Sequence, residues 1–283
     1  MKRGPIHICI IYLLLCLRTH CYSPVVLMHG IFDGPDTMNT LETMIKDAHP
    51  GTEVYKVDMF NNDVSLFKMW DQVYWIRKHL KEIMSSSNST NFIGFSQGGM
   101  IGRALIQTTN NHNIDTFISL SAPLNGEFGF PIIYQKYWPN ATLEWLTDLF
   151  YSRAGQDISV GGYWHDPIKE DRYREKCNFL APLTYPTNPD WKNNFLKLKK
   201  LVMIGGPNDE VIKPWQSSQF GFFNNKEKVL PMEQMDFYKN DTFGLRTLFE
   251  QNKTVNVTVP NIFHTYWHED VDVIRKYIIP YLN

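Results

Sequence analysis

The chain has 283 residues, 43% of them hydrophobic and 14% aromatic, and carries 28 Lys and Arg against 29 Asp and Glu for a formal charge of −1. This is enough apolar material for one large globular domain or two small ones. A charge this balanced, with no basic stripe, leaves no electrostatic footprint for nucleic acid.

Residues 1–21 read as a secretory signal peptide rather than as fold. Lys2 and Arg3 give a positive start, Ile6 to Leu17 is an apolar run too short to span a bilayer comfortably, and Thr19 and Cys21 suit a cleavage site. Removing Lys2, Arg3 and Arg18 leaves a charge of −4. Of the four cysteines, Cys9 and Cys16 leave with the leader and Cys21 sits at the cut, so Cys177 is expected as a half-buried free thiol and no disulfide framework is expected. Sequons at Asn88, Asn140, Asn240, Asn252 and Asn256 support a lumenal glycoprotein. No later stretch is long and apolar enough to serve as a transmembrane anchor.

From Pro24 the chain alternates strand and helix. Pro24–Met28 is a buried strand ending at His29-Gly30, and helical spacing follows at Met38, Leu41, Met44 and Ile45. Val54–Asp58 is a second strand, and Ser65–Met84 a helix with apolar residues at Leu66, Met69, Trp70, Val73, Ile76, Leu80 and Ile83. Phe92–Phe95 is a third strand, Met100–Leu105 lies in a helix, and Phe117–Leu120 is a fourth strand. This alternation predicts an α/β fold: a mainly parallel sheet with helices on both faces. Residues from about 125 to 196 form an aromatic-rich insert, with Phe128, Phe130, Tyr134, Tyr137, Trp138, Trp145, Tyr163 and Trp164 among others, expected as a cap over the sheet's carboxyl edge. The sheet resumes at Leu201–Ile204 and at Val255–Val259, and Asp270–Tyr281 reads as a final helix.

Chemistry concentrates at Gly94-Phe95-Ser96-Gln97-Gly98. A bare Gly-x-Ser-x-Gly arises by chance in roughly one chain in ten of this length. Here it joins a strand to a helix, the setting in which the turn holds a serine hydroxyl out as a nucleophile. Such a serine needs a base and a carboxylate that orients it, in the order Ser, Asp or Glu, His in the α/β-hydrolase fold. His264 directly follows the last strand and is the better base than His268. Asp209 follows an apolar strand and is the better orienter than Asp236 or Asp241, which lie in polar connecting sequence. The oxyanion hole is expected from the backbone N–H groups of Gln97 and Ile31.

Several longer segments are more specific than the serine motif: His29-Gly30-Ile31-Phe32-Asp33, Ser96-Gln97-Gly98-Gly99, Tyr163-Trp164-His165-Asp166-Pro167, Gly205-Gly206-Pro207-Asn208-Asp209 and Pro214-Trp215-Gln216-Ser217-Ser218. Through them, from about Pro24 to Leu282, the chain resembles the palmitoyl-protein thioesterases, most of all the type-2 lysosomal branch. The resemblance implies a triad of Ser96, Asp209 and His264. It also implies a lysosomal glycoprotein that hydrolyses fatty-acyl thioesters, acyl-CoA or S-acylated protein, without metal or cofactor. The low cysteine count departs from that branch, so no disulfide is carried over. A secreted lipase or carboxylesterase, and an inactive lipid-binding relative, are the competing expectations.

Overall fold

The computed structural model describes residues 22–129 and 139–283. The expected leader, with Cys9, Cys16 and Cys21, and the insert aromatics Phe130, Tyr134, Tyr137 and Trp138 lie outside the described residues.

Six strands form one sheet: β1 (Val25–Met28), β2 (Val54–Lys56), β3 (Thr90–Phe95), β4 (Ile114–Leu120), β5 (Lys200–Gly205) and, last in the chain, β8 (Thr254–Thr258). Their order is β2-β1-β3-β4-β5-β8, and every pairing is parallel. A two-residue hairpin pairs β6 (Phe222–Phe223) with β7 (Val229–Leu230). The apolar runs of β1, β3, β4 and β5 have no polar face because both faces are covered. Val26, Met28, Phe92, Phe117, Leu201 and Met203 pack on one side, while Val25, Leu27, Ile93, Ile118, Val202 and Ile204 pack on the other. That split is the two-residue side-chain period of a strand. β8 alternates polar and apolar instead because it lies at the sheet edge, where only Val257 of its valines is buried.

Helix α1 (Asn39–Ala48) buries Leu41 and Ile45 on one face of the sheet, beside Ile274 and Ile278 of the C-terminal segment. Helix α2 (Met69–Ser86) buries Met69, Val73, Ile76 and Leu80 on the other face, against α3 (Gln97–Thr108). The helix expected from Ser65 begins at Met69. Asn62–Leu66 is a short 3₁₀ turn instead. The Gln72 amide explains the offset: it donates to the carbonyl oxygens of Ser65 (2.8 Å) and Phe67 (2.6 Å), holding the entry out of the α-helical path. The expected final helix is split into an α turn (Val271–Val273), a π-helical turn (Ile274–Ile278) and a 3₁₀ turn (Ile279–Tyr281). Pro280 there has no N–H to continue a regular ladder. No described helix is long and apolar enough to cross a membrane.

The insert contributes short helices α4 (Leu143–Phe150), α5 (Glu170–Lys176), α6 (Leu180–Thr184) and α7 (Pro189–Phe195). His165 ties it down. Its ring stacks between Tyr173 (3.8 Å) and Phe222 (4.3 Å), and its nitrogens reach the Asn125 carbonyl and the Glu170 carboxylate, each at 2.8 Å. The Arg103 guanidinium, fully buried on α3, donates to the carbonyl of Leu124 and the hydroxyl of Thr184 and lies over the rings of Phe220 and Phe243. Cys177 is fully buried rather than half-buried. Its thiol donates to the Gly162 carbonyl, and burial pushes its pKa up to about 11. A thiol held protonated in this way is inert packing.

Candidate active site

The β3–α3 turn explains why glycines flank Ser96. Ser96 has φ 52° and ψ −125°, a conformation that L-residues rarely adopt. A Cβ on Gly94 would lie 2.5 Å from the Gly98 carbonyl oxygen, and one on Gly98 would lie 2.3 Å from that of Met28. Only hydrogen at both positions allows so sharp a turn. The turn is held by the Ser96 N–H on the Leu120 carbonyl and by the Gly99 N–H on the Ser96 carbonyl, both at 2.9 Å.

Three loops from the carboxyl edge converge there. His264 Nε2 is 2.9 Å from Ser96 Oγ, and His264 Nδ1 is 2.7 Å from Asp209 Oδ2. The sequence places these residues 168 and 55 positions apart. In this geometry an imidazole proton held on Nδ1 faces the carboxylate, leaving Nε2 to accept the serine proton. All three residues are buried, and the Asp209 side chain is wholly so. Asp236 and Asp241, the other carboxylates considered, sit elsewhere: Asp236 opens a short helix, and Asp241 pairs with Lys192 and Thr247.

Asp209 is densely solvated by protein. Oδ1 accepts from the N–H groups of Val211 (3.0 Å) and Ile212 (2.8 Å). Oδ2 accepts from His264, from the Ser121 hydroxyl and from the Trp267 indole N–H at 2.8 Å. Burial alone would raise its pKa, but the His264 ring, the Ile212 N–H and the Ser121 hydroxyl outweigh it and hold the carboxyl below the usual range. His268 does not begin the last helix. It lies in the turn before it, with its ring 4.3 Å from that of Phe95, and burial followed by the nearby His264 depresses its pKa to about 4.

The loop after β1 reaches the serine. A Cβ at Gly30 would lie 3.1 Å from Ser96 Cβ and 2.9 Å from an Asp33 carboxylate oxygen. Phe32, with φ 61°, donates its N–H to the Ser65 hydroxyl, and the Asn62 N–H bonds the Asp33 carbonyl, so the Asn62–Leu66 turn pins the loop at two points. Burial raises the Asp33 pKa by more than His29 and His264 lower it. Gln97, the first residue of α3, donates its side-chain amide to the Ser65 carbonyl, and its amide oxygen accepts from Tyr163 of the insert. Beside Asp209, a cavity of about 350 Å³ is lined by Phe128, Leu143, Ile212, Pro214 and Phe223. All five sequon asparagines are exposed. The sequence reading missed Ser121 and Trp267. Ser121 directly follows strand β4, and that position was the one available signal.

The parallel sheet, the sharp Ser96 turn and the order of the three converging loops define an α/β-hydrolase. A Burkholderia cenocepacia structure assigned as an aryl esterase shares the fold, with a TM-score of 0.51 at 9% identity over 90% of this chain and 88% of that one. Within that class the chain belongs to the palmitoyl protein thioesterase family, whose model matches residues 24–264, and is a thioester hydrolase. It is 42% identical over 279 residues to lysosomal thioesterase PPT2-B of Xenopus laevis, covering 96% of this chain and 97% of that one. It is 39% identical to lysosomal thioesterase PPT2 of Homo sapiens, covering 93% and 88%.

Proposed function

We propose that the protein hydrolyses fatty-acyl thioesters, acyl-CoA or S-acylated peptides, through an acyl-Ser96 intermediate in the lysosome. The contact of His264 Nε2 with Ser96 Oγ at 2.9 Å carries this reading. Ser96 Oγ attacks the acyl carbon as its proton passes to His264. Asp209 holds the ring and balances the imidazolium charge. The oxyanion is received by the N–H groups of Gln97, at the start of α3, and of Ile31, in the loop packed on Ser96. The sulfur leaves readily, since a thiol's pKa is about 8.5, and it takes the proton from His264, which is neutral again. His264 then activates water, which releases the fatty acid and restores Ser96.

The cavity beside Asp209 sets Phe128, Leu143, Ile212, Pro214 and Phe223 beside Lys213, Gln216 and Glu227, and its apolar wall suits a hydrocarbon chain, in which each buried methylene contributes up to about 0.8 kcal/mol. Phe128 and Leu143 bring the insert of about residues 125–196 to that cavity, consistent with a role as cap. The leader of residues 1–21 routes the chain into the secretory pathway, where Asn88, Asn140, Asn240, Asn252 and Asn256 are the acceptors for sugar. Hydrolysis of acyl-CoA across chain lengths, beside an S-palmitoylated peptide and matched oxygen esters, tests the reading. A strong preference for the oxygen esters would replace it with a lipase or carboxylesterase.

A further inference from the structure

We propose that Ser121 and Trp267 are positioning residues that extend the working form of the Asp209–His264 pair, carboxylate with neutral imidazole, into acidic solution. The inference rests on the triad reading above.

An indole nitrogen can only donate, and an ionised carboxylate can only accept. Trp267 Nε1 and Ser121 Oγ therefore both donate to Asp209 Oδ2, which already faces His264 Nδ1. Adding the Val211 and Ile212 N–H groups on Oδ1, one buried carboxylate is met by five donors. Both side chains are firmly placed. Trp267 is fully buried in the core beneath the last helical segment, one turn beyond His264. Ser121 is fully buried directly after β4, and its N–H bonds the Ile204 carbonyl on the neighbouring strand.

A proton on Oδ2 would have to displace one of three donors, so the carboxylate resists protonation. The five donors share the carboxylate's charge, so the pair keeps its working form as the solution turns acidic. Without the two side-chain donors, Asp209 becomes more basic and the pair takes up a proton earlier as pH falls. The other titratable groups near the pair are His29 and Asp33 after β1, Glu210, whose carboxylate accepts the His264 N–H, and His268 and Glu269 beyond the base. These are shared by all the variants below, so a difference between variants reads only the deleted donor.

The test is the pH dependence of Ser96 labelling by a fluorophosphonate, which needs the base but no acyl substrate. Wild type is compared with Ser121→Ala and Trp267→Phe, each checked for a native melting transition at neutral pH. The acid limb is expected to move to higher pH by roughly half a unit or more in each folded variant, and further in the pair combined. A limb that coincides with wild type in every folded variant, even if the plateau rate falls, overturns the proposal. Ser121→Ala keeps the test open should Trp267→Phe fail to fold. A wild type that takes up no label at all indicts the triad reading instead.

Discussion

The Tyr163 hydroxyl donates to the side-chain oxygen of Gln97 at 3.2 Å, joining the insert to the residue that follows Ser96. The Gln97 amide nitrogen is held in turn by the Ser65 carbonyl at 2.8 Å, and Ser65 also accepts the Phe32 N–H. Both loops assigned to the oxyanion hole are thus braced through one buried network. Tyr163→Phe leaves the Gln97 oxygen without this donor, at a cost of about 1–2 kcal/mol in stability. Oxyanion donors act mainly on the transition state, so kcat should fall severalfold with KM nearly unchanged. Steady-state kinetics with an acyl-CoA substrate, alongside urea unfolding, check both numbers. A rise in KM alone would mean that Tyr163 serves the acyl group rather than the turn.

Ser96 combines the hydroxyl proposed as nucleophile with a backbone conformation that favours glycine. Ser96→Ala removes the hydroxyl and keeps the strain; Ser96→Gly removes both. Both variants should lose turnover entirely. Ser96→Gly should be more stable than Ser96→Ala, by about 1 kcal/mol. Thermal unfolding of the two side by side decides this, and equal midpoints would mean that the turn stores no strain at that residue.

Asp209→Asn preserves shape and inverts hydrogen-bond chemistry. If the amide oxygen keeps the Val211 and Ile212 N–H groups, the new NH₂ group faces three donors: His264, Ser121 and Trp267. The imidazole then turns its acceptor nitrogen to the amide and offers a proton toward Ser96, the wrong tautomer for a base. By analogy with serine-protease triads, kcat should fall by roughly four orders of magnitude. Residual turnover within tenfold of wild type would show that His264 does not depend on Asp209.

How far the sequence reaches is set by periodicity and position. β1, β3, β4 and β5 were legible because both faces are buried and leave continuous apolar runs. Ser96, Asp209 and His264 were legible as a set because each follows a strand, and parallel strands deliver their following loops to one edge. The late start of α2 was hidden because it depends on Gln72 bonding back to Ser65 and Phe67, a contact that no local spacing reveals. Trp267 was hidden for a related reason: its ring fills the core as any aromatic would, and only its indole nitrogen meets the carboxylate.

His268 gives the chain an acid sensitivity that can be measured apart from catalysis. Its pKa falls from 6.5 to about 4 through burial, with the neighbouring His264 adding to the effect. Between those values the unfolded chain binds a proton that the folded ring refuses, so stability falls as pH drops through the window and levels off below it. The whole window corresponds to about 3 kcal/mol. His268→Gln removes the titrating ring. Its loss of stability between about pH 7 and pH 4.5 should be smaller than that of wild type by about 2 kcal/mol. Urea unfolding of both proteins at the two pH values measures the difference directly. Equal losses would place the ring in a wetter site, where it is free to charge in the folded state.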